Sequence, residues 1–189
     1  MANVGTSDRR SDNELVEICN QGDAVEASRA FETLYRRHKD YVLRIARRFV
    51  HDNDMALDVL QETFGYLLRK FRPAGSGLVL TARMTTFLYP VAKNLAITML
   101  RKADRFSPTD GRDPDELLAT DGNEQEIAAV IAGLSTERRE VVMLRFVDDM
   151  SLQEIADLLE IPLGTVKSRL HVAIRELKGS PDVKKFFEP

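Results

Sequence analysis

The sequence predicts an all-α protein, two small helical domains joined by a flexible acidic linker. Three observations carry this. Nearly every periodic segment repeats its apolar residues at helical spacing, and strand-like alternation is absent. Residues 106–126 break the pattern with Pro, Gly, Asp and Glu and few large apolar groups, which is a linker composition. Finally, Ser151 to Lys178, SLQEIADLLEIPLGTVKSRLHVAIRELK, reads as two short helices around a tight turn.

The elements follow in order. Ser11 and Glu14 match a capping box that opens a short helix through about Asn20. A long helix from about Ala24 to Val50 carries the stripe Phe31, Leu34, Tyr35, Val42, Ile45 and Phe49. Asn53 or Asp54 caps a third helix that ends near Phe71, before Arg72-Pro73. In it Val59, Phe64, Leu67, Leu68 and Phe71 supply core contacts, while Asp58, Gln61 and Glu62 share a polar face. Pro73 to Arg83 is a glycine-bearing loop, and a fourth helix runs from about Met84 to Lys102. Beyond the linker come helices from Ile127 to about Leu134 and from Glu137 to Val147, then the helical pair. The domains are therefore 27–105 and 127–178, with an N-terminal segment 1–26, the linker 106–126 and a tail 179–189. Extended, the 21 linker residues would reach roughly 70 Å.

In the helical pair, Ser151 and Glu154 form a second capping box, and Leu152, Ile155, Ala156 and Leu159 make one apolar face. The turn is placed at Glu160 to Gly164, with Thr165 capping the next helix. There Val166, Leu170, Ala173, Ile174 and Leu177 fall on one side, and Lys167, Ser168, His171, Val172 and Arg175 on or beside the other. That is the layout of a helix-turn-helix whose second helix offers polar and basic groups to a DNA major groove. An ordinary helical hairpin with a solvated face has the same periodicity. The turn length and the lack of an outward carboxylate before Glu176 favour the DNA reading.

The net charge of −3 conceals a division along the chain. Residues 27–105 carry a net +8, between an N-terminal segment at −4 and a linker at −6. Local charge is what a phosphate backbone meets, so the first domain is also a candidate nucleic-acid binder. There is no apolar run long enough to span a bilayer and no signal-peptide pattern at the start. The single Cys19 excludes an internal disulfide, fits a reducing cytoplasm and reads as small core filler. Three histidines and one cysteine show no ligand spacing, and no phosphate loop or nucleophile–base pair is evident. Neither metal, cofactor nor enzymatic activity is expected.

Two runs taken together are more specific than either alone. Asp58 to Phe64 (DVLQETF) precedes MTTFLYPVAKNLAITMLRK, then the acidic linker, then LSTERREVVMLRFVDDMSLQEIADLLEIPLGTVKSRLHVAIREL. In this order the chain resembles the extracytoplasmic-function sigma factors of bacterial RNA polymerase, over about residues 27–105 and 127–178. The resemblance implies a region 2 helical bundle, a region 4 helix-turn-helix and a non-enzymatic role as promoter-specificity subunit. It implies that Asp58, Gln61 and Glu62 dock on the β′ clamp helices, with Arg44 and Arg48 as basic neighbours. It places Arg83, Phe87, Lys93, Asn94, Arg101 and Lys102 at the −10 element, with the loop Pro73 to Arg83 accepting a flipped-out base. It places Thr165, Lys167, Ser168, Arg169, His171, Val172 and Arg175 at the −35 element. Arg138, Arg139 and Arg145 are either solvated or aid docking to the β flap. Core polymerase, promoter DNA and an anti-sigma factor are the implied partners.

Three positions depart from the family pattern. Phe87 stands where the family usually has tryptophan, which keeps a π face but reduces its area. Pro90 is either harmless in a first turn or a kink, depending on where the helix starts. Val172 replaces an often basic residue and suits a thymine methyl instead. Two other functions compete. A sigma mimic that sequesters an anti-sigma factor would carry a receiver domain or a degraded basic surface, yet the sequence reads as no extra domain and Lys93, Arg101, Lys102, Lys167 and Arg175 are in place. A stand-alone helix-turn-helix repressor would leave the DVLQETF face without purpose.

Overall fold

Ser11 begins the first helix by accepting from the Glu14 amide, while the Glu14 carboxylate accepts from the Ser11 N–H at 2.6 Å. Losing such a cap costs about 1 kcal/mol. The computed structural model describes residues 8–50, 52–72, 76–106 and 130–179. The chain divides into two compact units, Met1–Pro108 and Thr109–Pro189. No strand occurs among the described residues. The linker beyond residue 106, residues 73–75 of the loop, and the tail beyond residue 179 lie outside them.

Among the described residues four helices build the first unit: α1 (Asp12–Gln21), α2 (Ala24–Phe49), α3 (Asn53–Lys70) and α4 (Met84–Phe106). The long α2 is the central element and packs against each of the other three. Its period-3.6 stripe buries Leu34, Val42 and Ile45 completely, and leaves Phe31, Tyr35 and Phe49 half-buried. Phe31 and Tyr35 meet Phe64 of α3 edge-on, and Phe31 meets Phe71 in the same way. Cys19 packs in this core with its thiol toward the Ala27 carbonyl, and burial pushes its pKa up to about 11. It is filler, as its composition suggests.

Some sequence expectations are corrected here. The α3 cap is Asp52, whose carboxylate accepts from the Asp54 and Met55 amides; Asn53 is already helical. Leu68 is not a core residue but 53% exposed, because it lies on the outward side of α3. Helix α4 starts at Met84, so Pro90 sits beyond the first turn and removes the bond that the Thr86 carbonyl would otherwise accept. Arg48, expected at a docking surface, is only 4% exposed and belongs to the domain interior.

α1 is bound to its neighbours by polar contacts as well as by Leu15, Val16 and Cys19. The Asp12 carboxylate takes Arg37 at 2.9 Å and His38 at 2.8 Å, both on α2. The bond from His38, then that from Arg37, hold the Asp12 pKa below the usual carboxylate range against a desolvation that raises it. At its other end α1 presents Asn20, whose amide nitrogen donates to the Leu78 carbonyl at 2.8 Å. The Asn20 amide oxygen accepts from the Leu78 N–H at 3.0 Å. Gly77 precedes that clasp with φ +91°, a conformation favourable only to glycine.

The second unit contains α5 (Thr136–Phe146), α6 (Leu152–Leu159) and α7 (Leu163–Gly179). Ile131, Leu134, Val142, Met143 and Ala173 form its core, with Leu170 and Leu177 packed against them. Ser151 and Glu154 start α6 with the expected capping box. The turn is shorter than its sequence suggests. α6 ends on Glu160 in the left-handed region (φ 53°), where the Ile161 N–H reaches back to the Ala156 carbonyl. The Pro162 carbonyl then accepts from Val166, so Pro162 occupies the capping position and Thr165 lies inside the first turn of α7. Gly164 is not sterically required, since an added Cβ there would meet nothing within 4 Å.

Candidate nucleic-acid interface

Helix α7 divides its two faces cleanly. Val166 and Ala173 are fully buried, and Leu170 and Leu177 fill the groove toward α5. Lys167, Ser168, His171 and Arg175 are exposed on the opposite side, while Thr165, Arg169 and Val172 are half-buried at its margins. Among the described residues of α7 the one carboxylate is that of Glu176. Glu176, the nearest acidic residue on the helix, is turned to Arg138 of α5 at 2.8 Å. Arg169 lies where its charge helps hold the Glu137 carboxyl below its usual pKa, after backbone and Ser135 hydrogen bonds. The three arginines of α5 are engaged within the domain. Beyond the Arg138 pair, Arg139 donates to the Ala132 and Leu134 carbonyls and Arg145 to that of Met150. Phe146, at the end of α5, is 62% exposed.

Helix α4 carries the other basic surface. Met84, Leu88, Tyr89, Ala92 and Ala96 are buried. At 3.6 residues per turn, Phe87, Asn94, Thr98 and Arg101 fall within about 60° of one another, with Arg83 one turn before Phe87. Asn94, Thr98, Arg101 and Lys102 are exposed, and Phe87 is half-buried. Of the predicted residues, Phe87, Asn94 and Arg101 thus share one stripe, Thr98 joins them, and Lys102 lies at its edge. Lys93 is outside it: it lies roughly 120° away by the same count, half-buried, with Nζ 5.9 Å from the Phe49 ring centroid.

Next to this stripe lies the segment that precedes α4. The Asn20 clasp fixes Leu78, and Val79 beyond it is 81% exposed. Leu80 to Thr85 then form one wall of an open cleft of about 430 Å³, with Ser11 to Asn13 of α1 as the other. The DVLQETF face of α3 is also outward. Asp58, Gln61 and Glu62 are exposed, flanked by Leu57 at 38% and Leu68 at 53% exposure. Arg44 on α2 is half-buried with its guanidinium 5.4 Å from the Tyr41 ring centroid.

Two features were missed in the sequence. One is the Asn20–Leu78 clasp, which joins residues 58 apart and has no local signature. The other is Tyr66 of α3, whose ring stacks beside Phe87 of α4. No group of three or more His, Cys, Asp or Glu suited to a metal ion occurs among the described residues. No helix there is long and apolar enough to cross a membrane.

Comparison with known proteins bears on both surfaces. The sigma-70 region 2 family model matches residues 34–106, and the sigma-70 region 4 model matches residues 124–177. The chain is 35% identical over 168 residues to the ECF RNA polymerase sigma factor SigL of Mycobacterium tuberculosis, spanning 83% of this chain and 92% of that protein. It is 29% identical over 160 residues to the ECF RNA polymerase sigma factor SigW of Bacillus subtilis, spanning 75% and 83%. Among solved structures it is similar to CnrH in complex with the cytosolic domain of CnrY, with TM-score 0.63 and 22% identity over 90% of this chain and 96% of that one. It is also similar to RpoE in complex with the anti-sigma factor NepR from Bartonella quintana, with TM-score 0.58 and 19% identity over 84% and 98%. The two structures show a shared fold. With both sigma-70 regions in order and a relative matched along most of both chains, the protein belongs to the ECF RNA polymerase sigma factors, which are transcription initiation factors rather than enzymes.

Proposed function

We propose that this chain binds core RNA polymerase, directs it to promoters with defined −35 and −10 elements, and helps melt the −10 region. One observation carries the reading: the chain presents two separate polar and basic helical faces, on α4 and α7, each backed by its own apolar core. On α7, Lys167 and Arg175 have the chemistry to bond guanine O6 and N7, and Ser168 and His171 to contact a base edge or phosphate. Val172 at the margin offers an apolar contact to a thymine methyl. On α4, Phe87 stacks on an unpaired base and Asn94 reads a base edge near the junction, while Arg83 just before the helix and Arg101 and Lys102 within it neutralise phosphates. The cleft between Leu80–Thr85 and α1 is where a flipped-out base would sit, its cost of unstacking offset by a shaped wall. The exposed Asp58, Gln61 and Glu62, flanked by Leu57 and Leu68, form the docking face for the β′ clamp helices. The second unit docks to the β flap. An anti-sigma factor restrains the free protein; the structurally similar RpoE is in complex with an anti-sigma factor.

Transcription in vitro with purified core polymerase and a randomised promoter library tests this. The expected result is selection of a two-part promoter and initiation at a fixed distance from it. Failure to bind core, or binding to a palindromic duplex without polymerase, would overturn it. Affinity capture of the native protein should also recover the core subunits and the anti-sigma factor.

A further inference from the structure

Among the described residues, the other aromatic pairs of the first unit meet edge-on, at 66° to 84° between ring planes. Tyr66 and Phe87 differ, with planes at 25° and centroids 6.5 Å apart. That separation is too large for rings eclipsed at contact distance, so neither ring fully covers the face of the other. Both side chains are only half-buried. One turn further along α3, Lys70 places its ammonium 4.8 Å from the Tyr66 centroid. Phe87 also begins the α4 stripe of Asn94, Thr98 and Arg101. A two-ring aromatic step with its own cation therefore stands at one end of a polar and basic track.

We propose that Tyr66 and Phe87 together form a stacking platform for an unpaired DNA base, with Lys70 neutralising the adjacent phosphate. The inference rests on the promoter-melting role assigned above and deepens it, since it moves part of that site from α4 onto α3. Stacking on a π face tolerates any base, and a nearby cation adds attraction to both ring and phosphate. The second ring also answers a question raised by the sequence. Phe87 alone offers less area than the tryptophan usual in the family, and Tyr66 adds a second ring offset from it.

The test uses holoenzyme reconstituted from core polymerase and full-length variants, on a promoter obtained from the library selection. Opening is read by 2-aminopurine placed along the non-template −10 strand, and core affinity is measured alongside. Y66A is expected to slow opening about 5- to 150-fold, the effect of losing one base stack, with core affinity unchanged. Y66F and Y66W should open within about twofold of wild type. Y66L separates stacking from packing, because it keeps apolar volume without a π face; it should behave like Y66A. K70A should lose about threefold and weaken the salt dependence of opening. On the wild-type protein, 5-iododeoxyuridine at the junction should photocrosslink to Tyr66. Opening by Y66L at the wild-type rate, or crosslinks that reach other residues and never Tyr66, would overturn the platform. A wild-type holoenzyme that opens no promoter would overturn the initiation role itself, and with it the platform.

Discussion

The two candidate DNA-reading surfaces are built in different ways. On α7 one helix supplies everything: its buried side anchors it, and its outer side carries Lys167, Ser168, His171 and Arg175 in a single face. The surface proposed for the −10 element is assembled from three elements. α4 gives the stripe, α3 adds Tyr66 and Lys70, and α1 holds the preceding segment through Asn20. A rigid duplex groove can be read by one helix docked as a rod. An opened strand has no fixed shape, so the groups that hold it must come from several directions and be fixed by tertiary contacts.

The comparison can be broken most forcefully at the core. Leu144 is fully buried in the second unit, and Leu144→Ala should cost about 2–5 kcal/mol. Thermal unfolding should show this loss, and duplex binding at the −35 element should fall with it. Next in size, Arg175→Ala should weaken binding to the −35 duplex by about 1–3 kcal/mol and relax base preference at one position. Competition binding with single-base variants would read both effects. Asn20→Ala removes two bonds to a backbone buried at Leu78, at a cost of about 1–2 kcal/mol. Amide exchange should rise at Leu78 and Val79 while α7 keeps its protection.

Smaller effects sharpen the same contrast. Asp12 has a depressed pKa in the folded chain because of His38 and then Arg37. The stability it contributes is thus present above its unfolded value of about 3.9 and lost as pH falls through the lower folded value. Asp12→Asn should therefore unfold more easily than wild type at neutral pH, and the gap should close in acid. In the second unit Glu160 holds a left-handed conformation. Glu160→Gly should change stability by at most about 1 kcal/mol, in the stabilising direction, since relief of the side-chain penalty exceeds the glycine entropy cost.

How the surfaces are built also decides how much of each was legible. The α7 face could be read from periodicity, because helical spacing alone separates Val166 and Ala173 from Lys167, Ser168 and Arg175. The capping boxes at Ser11 and Ser151 were equally local, and both formed as expected. The errors fell where neighbours decide. Pro162, not Thr165, took the capping position because the turn tightened around a left-handed Glu160. Arg48 went inside and Leu68 outside because the packing of α2 against α3 and α4 overrode their polarity. Lys93 shares the basic segment with Arg101 but faces Phe49 instead. Tyr66 and Asn20 were invisible for the same reason, since their partners lie 21 and 58 residues away in sequence.

The claim that the two surfaces do separate work is tested most directly by measuring duplex binding and strand opening on one promoter with two variants. Holoenzyme carrying Arg175→Ala should lose affinity for the closed duplex yet open the promoter at a near-normal rate once bound. Holoenzyme carrying Phe87→Ala should bind the closed duplex normally and open it slowly. If both variants failed at the same step, the division of labour between α7 and the α3–α4 surface would be contradicted.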